Sequence, residues 1–192
     1  MDNKLYVVKY SGPFGFIKPW TAVRDEETYS QQFLTPSIVE GIEKKLFPEL
    51  LGEKGIFKIV GHRLNYKGLS IQQERTWAKG GFKVSKKKNT LKTNLGILKR
   101  GVMVEPNLYL AFKSEEDLLR SKNQTICLCR NEDLVFPTST YAMSLEEFDD
   151  VPGYELEFNS GNSSFKVGYN RFNENKPMYG KLKVVGNPIR NE

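Results

Sequence analysis

Two strand–helix–strand runs, a basic aperiodic stretch between them and a series of short strands after them predict an α+β fold. The strand–helix–strand repeat is the order of a ferredoxin-like (RRM-like) core. The stretch 65–94 loses hydrophobic periodicity and is rich in Lys, Gly, Ser and Asn, which predicts a protruding hairpin or mobile loop. From Val151 on, strand patterns separated by Gly/Asn/Ser turns predict a small β-rich extension. The expected division is therefore 1–64 and 95–150 for the core, 65–94 for a basic insertion and 151–192 for the extension. This fold hosts many functions and decides none.

Residues 4–10 (Lys-Leu-Tyr-Val-Val-Lys-Tyr) are β-branched and aromatic and predict a strand, stopped by Ser11-Gly12-Pro13. A long loop follows, with Phe14, Phe16, Pro19, Trp20, Arg24 and Tyr29. Thr35-Pro36-Ser37 starts a helix, with Thr35 suited to the cap and Pro36 to the first turn. Ile38, Val39, Ile42, Leu46 and Phe47 recur at helical spacing. A strand is expected over Gly55–Leu64. After the insertion, strands are expected at Leu95–Lys99 and Asn107–Phe112. Ser114–Lys122 predicts a short helix with acids first and bases last, as the helix dipole favours. Strands follow at Thr125–Arg130, Tyr154–Phe158, Phe165–Tyr169 and Lys181–Val185, and Gly186–Glu192 reads as a loose tail.

The chain has 192 residues and is 39% hydrophobic, enough for one large domain or a domain with an extension. No apolar run approaches the ~20 residues of a membrane span, and the N-terminus enters a strand without signal-peptide architecture. Cys127 and Cys129 read as two buried reduced thiols of a cytoplasmic protein. With His62 the sole histidine, a zinc site has too few ligands. No cofactor is indicated: Walker, His-Glu-x-x-His and Gly-x-Ser-x-Gly motifs are all missing. The acidic cluster Glu146-Glu147-Asp149-Asp150 reads as a solvated face rather than a metal site.

Charge is spread unevenly. Residues 54–104 carry 13 of the 29 Lys/Arg and one of the 23 Asp/Glu, a net +12, whereas the whole chain is +6. A block this basic repels itself, and a polyanion is the commonest reason for one. A solvated loop without a partner is the competing reading. Single-stranded RNA is held by Lys/Arg on phosphates and by aromatic or guanidinium planes on splayed bases. Arg75-Thr76-Trp77, Lys79 and Phe82-Lys83 interleave both chemistries, and Gly80-Gly81 allows close backbone approach. Lys86, Lys87 and Lys88 continue the basic run, as do Lys92, Lys99 and Arg100. Core burial competes as a role for Trp77 and Phe82. Arg24 and Tyr29 lie in a loop, where binding residues concentrate; a salt bridge would equally account for Arg24. Ser37 at a helix N-terminus suits a phosphate or ordinary capping. Gly41, mid-helix at ~1 kcal/mol relative to alanine, suits close contact with RNA or with the sheet.

Gly12-Pro13-Phe14, then Pro19, Arg24, Tyr29, Thr35-Pro36-Ser37 and Gly41-Ile42, resembles the opening of the CRISPR-associated "Cas five" family of the RAMP superfamily. The match covers about the first 45 residues. Leu145-Glu146-Glu147-Phe148 resembles a later family segment but lacks its glycine. The resemblance implies a subunit of a type I-like Cascade surveillance complex in antiviral defence. Such a subunit grips the 5′ handle of the CRISPR RNA with a thumb hairpin, caps the foot of the complex and contacts its backbone and large subunits. Target DNA lies nearby through the complex, and no membrane is involved. One branch also cuts precursor RNA without metal, through a Tyr and a Lys-His pair; here Tyr29 and His62 are the residues that such an activity could use, and no Lys-His pair exists. A metal-independent endoribonuclease is thus one alternative, and a module binding an acidic protein partner is another.

Overall fold

Strand β1 (Lys4–Ser11) is buried on both faces, with Val7, Val8 and Tyr10 fully enclosed, so it belongs inside a sheet and not at its edge. In the computed structural model it is flanked by β7 (Asn107–Phe112) and β9 (Leu134–Ser144), and β4 (Ile59–Asn65) pairs with the far side of β7. All three pairings are antiparallel. The structure describes residues 4–19, 27–85, 90–158, 164–170 and 173–190, and the side chains of 77–85 and 91–95 lie outside that description.

Among the described residues this sheet has eight strands in the order β11-β12-β10-β4-β7-β1-β9-β8. Here β8 is Ile126–Cys127, β10 is Gly153–Phe158, β11 is Phe165–Asn170 and β12 is Lys176–Val185. The chain is a mixed α+β protein with mostly antiparallel sheets. The C-terminal strands extend the main sheet beyond β4.

Helix α1 (Pro36–Leu46) places Val39, Ile42, Glu43 and Leu46 on its buried stripe, and α2 (Glu115–Ser121) buries Leu118. Both pack on the face formed by Val8, Tyr10, Leu110 and Phe112. Tyr10 reaches across it to donate to the Ser121 carbonyl (2.8 Å). The opposite face carries Leu5, Val7 and Ala111 under Phe148 of the short helix α3 (Leu145–Asp149).

The Asn65–Asn107 end of the core leads into a long antiparallel hairpin, β5 (Gly68–Ser85) and β6 (Thr90–Val104). The strand expected at 95–99 is part of the second arm of this ribbon, which runs to Val104. Alternation is weak where the ribbon leaves the core because the side chains of 69–76 and 96–100 are all exposed or half-buried, which removes the burial contrast that periodicity detects.

Three other expectations are corrected. Thr35 occupies the cap of α1, yet its hydroxyl meets Ser37 Oγ (3.1 Å) and makes no cap hydrogen bond. The tail is docked: Tyr66 N–H donates to the Pro188 carbonyl and Arg190 N–H to the Tyr66 carbonyl. Cys129 is exposed and Cys127 half-buried, both as free thiols, because the strand ends at Cys127. Among the described residues, no helix is long and apolar enough to cross a membrane.

Candidate nucleic-acid interface

The motif residues of the N-terminal loop build the base of the hairpin. β2 (Phe14–Gly15) pairs with Met103–Val104, and β3 (Glu27–Tyr29) runs parallel to Lys99–Gly101. Gly12 is needed for close approach: a Cβ there would clash with the Leu134 carbonyl oxygen.

The ribbon register sorts the basic residues onto two faces, since directly opposed residues share a face. Arg75 opposes Ile97, Gln73 opposes Lys99, and Ile71 opposes Gly101. Tyr29 joins this face from β3, with its ring on Gly101 at a distance that leaves no room for a Cβ. Its hydroxyl donates to Glu27 (2.9 Å), and Lys99 pairs with Glu27 (3.6 Å). That hydrogen bond to a carboxylate raises the Tyr29 pKa, so the phenol stays neutral. Tyr29, Ile71 and Ile97 are each about half exposed. The face therefore offers an aromatic plane, aliphatic surface, the Arg75 cation and the Lys99–Glu27 pair to solvent.

Arg100 lies on the other face with Glu74 (3.6 Å). Its guanidinium sits over the buried Phe16 ring at 5.9 Å, and Arg130 covers the same ring at 5.3 Å. Arg130 is fixed by a fully buried Asp133 through Nε (2.8 Å) and Nη2 (2.7 Å). This Arg–Phe–Arg stack ties the hairpin base to the β8–β9 turn. It holds Arg100 in a largely structural position and was not foreseen from sequence.

The remaining expected positions fall elsewhere. Arg24 and Lys86, Lys87 and Lys88 lie outside the described residues. The backbone pairs Trp77 with Leu95, Phe82 with Thr93 and Lys83 with Lys92, while the side chains of these positions and of Lys79 lie outside the description. Ser37 and Gly41 are on the solvent side of α1, and a Cβ at Gly41 would meet nothing within 4 Å, so sheet packing does not require that glycine. Ser37 lines a small cleft with Phe158 and Tyr169 of the C-terminal strands.

No family model and no curated protein matches the chain.

His62 is on β4, opposite Leu110 on the helix-covered face, and is buried. It belongs to a different sheet from Tyr29, and the two do not meet. Burial, with the neighbouring Arg63 guanidinium as the smaller cause, pulls the His62 pKa down to about 4. The imidazole is thus neutral in the fold, with Nε2 unpartnered among the described residues. The folded pKa lies below the unfolded value of about 6.5, so the unfolded chain binds the proton more readily. Stability is full above about pH 6.5 and falls by roughly 3 kcal/mol as pH drops towards 4. Urea unfolding between these limits should show that loss, and His62→Leu should remove most of its share; an unchanged pH slope in the variant would refute the assignment. Among the described residues no three His, Cys, Asp or Glu side chains converge on a common point.

Proposed function

We propose that the chain is a non-catalytic RNA-binding subunit of a CRISPR RNA-guided effector complex, similar to the Cas five family, which holds the 5′ handle of the guide RNA with its basic hairpin as the thumb. The observation that carries this reading is the place of the hairpin. Strands β4-β7-β1-β9, joined through α1 and α2, follow a ferredoxin-like order, and the ribbon β5–β6 is inserted between β4 and β7. The loop that clasps its base is the loop bearing Gly12-Pro13-Phe14 and Tyr29. The +12 segment 54–104 covers the whole ribbon.

The exposed face suits single-stranded RNA. Arg75 and Lys99 reach phosphates, and Tyr29 presents a ring for a base. These contributions separate experimentally. Binding of a labelled repeat-derived handle RNA should weaken steeply with salt, and Arg75→Gln or Lys99→Gln should each reduce the log–log slope by about 0.7. Tyr29→Leu should weaken binding by roughly 1–3 kcal/mol at constant slope. Affinity insensitive to salt would sink the proposal. Sequencing of RNA co-purified after co-expression with a CRISPR array should return guides that share one 5′ end.

A further inference from the structure

Away from the hairpin, β4 and β10 separate. Their one paired position is Leu64 with Tyr154, and beyond it the strands diverge around an open cleft of ≈ 960 Å³. The cleft lies at the Lys4, Ile59 and Lys113 ends of the central strands, whereas the ribbon leaves from their Ser11, Asn65 and Asn107 ends. Six to eight strand residues at ~3.3 Å each put the two sites roughly 20 Å apart.

The floor of the cleft is apolar, formed by Leu5, Ile59, Phe148 and Leu156, all nearly inaccessible. Its rim is apolar as well, and exposed: Val60 is 44% accessible, Leu145 47% and Phe158 49%. Apolar surface that continues past the mouth exceeds what a small ligand covers and is characteristic of protein contacts. The acidic groups in the lining are already engaged. Glu155 pairs with Arg63, Asp149 with Arg63 and Lys183, and Glu157 with Lys183. Two lysines are left. Neither Lys113 nor Lys4 makes an ion pair among the described residues, and the Lys4 ammonium lies over the Tyr6 ring at 5.2 Å. With Arg63 counted, four cations face three carboxylates, a net charge of +1, and Lys4 and Lys113 are the cations on the cleft that no carboxylate pairs among the described residues.

We propose that this cleft is a second docking site, one that takes an amphipathic acidic segment of a partner protein. Aliphatic or aromatic side chains of that segment enter the floor, and its carboxylates meet Lys4 and Lys113. The site is independent of RNA binding by the ribbon and stands or falls separately. Phage-displayed random peptides selected on the full chain, then synthesised and titrated by fluorescence polarisation, provide the test. Selected sequences should combine Leu, Ile or Phe with Asp or Glu. Lys4→Glu with Lys113→Glu should weaken them at least about tenfold, and Leu145→Glu should do the same. All three positions are exposed, so the variants should keep the wild-type melting temperature. Selected peptides rich in Lys or Arg, affinities indifferent to these substitutions, or a library that yields no binder would overturn the proposal.

Discussion

Glu43→Ala should lower the unfolding free energy by about 3–5 kcal/mol. Glu43 is completely buried on α1, and its carboxylate caps the chain as it enters β4. Oε1 accepts from the backbone N–H of Lys58 (2.6 Å) and Ile59 (2.8 Å), and Oε2 accepts from Phe57 N–H (2.9 Å). Three donors thus converge on one anion at the entry to β4, two of them from residues that precede its first ladder pair, Ile59 with Phe112. Alanine strands all three, and each stranded donor costs about 1–3 kcal/mol unless water reaches it. Phe57 is exposed enough to be rehydrated, which keeps the total below the sum. Glu43→Gln keeps one acceptor oxygen but turns an amide N–H₂ towards a backbone donor, so it should fall between wild type and alanine. Urea unfolding of the three proteins gives the order directly. A loss below about 1 kcal/mol for alanine would mean that the segment 55–58 is held by something else.

The same residue shows what the sequence discloses and what it hides. The helix was legible because Val39, Ile42 and Leu46 repeat at the period of one face, and α2 because its charges follow the dipole. Strands of the core were legible from β-branched and aromatic runs. Glu43 lay on the buried stripe of α1, and a carboxylate at such a position is itself a signal of convergent donors, but its partners are fourteen to sixteen residues away and no local pattern names them. The ribbon face was half legible. Charge density located it, and strand register decided that Arg75 and Lys99 share a face with Tyr29 while Arg100 does not. Register depends on where pairing begins, which is fixed at Gly68 opposite Val104 by the core below. The docked tail was illegible because Asn187–Arg190 is short, with Ile189 as its one aliphatic anchor on the core, and its hydrogen bonds go to backbone groups of Tyr66 and Glu105, which carry no sequence identity.

Arg63→Leu should be nearly as damaging, at about 3–5 kcal/mol, and for the opposite reason. Arg63 is a fully buried cation packed 4.8 Å above the Phe148 ring. Its guanidinium bonds Glu155, Asp149 (3.0 Å) and the His62 carbonyl (3.0 Å), while Glu155 accepts the His62 N–H (3.0 Å). These side chains occupy the edge of β4 at the point where β10 departs, and they satisfy backbone groups that a neighbouring strand would otherwise take. Removal of Arg63 alone leaves the Glu155 carboxylate in the sheet without its cation. Asp149 keeps Lys183 and is less affected. If unpaired charge is the main penalty, Arg63→Leu combined with Glu155→Leu should recover at least about half of the loss, short of full recovery because His62 N–H is then stranded. The double-mutant cycle should therefore show strong coupling, and additive losses would refute the charge argument. Amide exchange adds a spatial readout. β10 shares only the Tyr154–Leu64 pair with β4, so in Arg63→Leu protection should fall first over Gly153–Phe158 and its neighbour β12, while β1 and β7 stay protected until global unfolding.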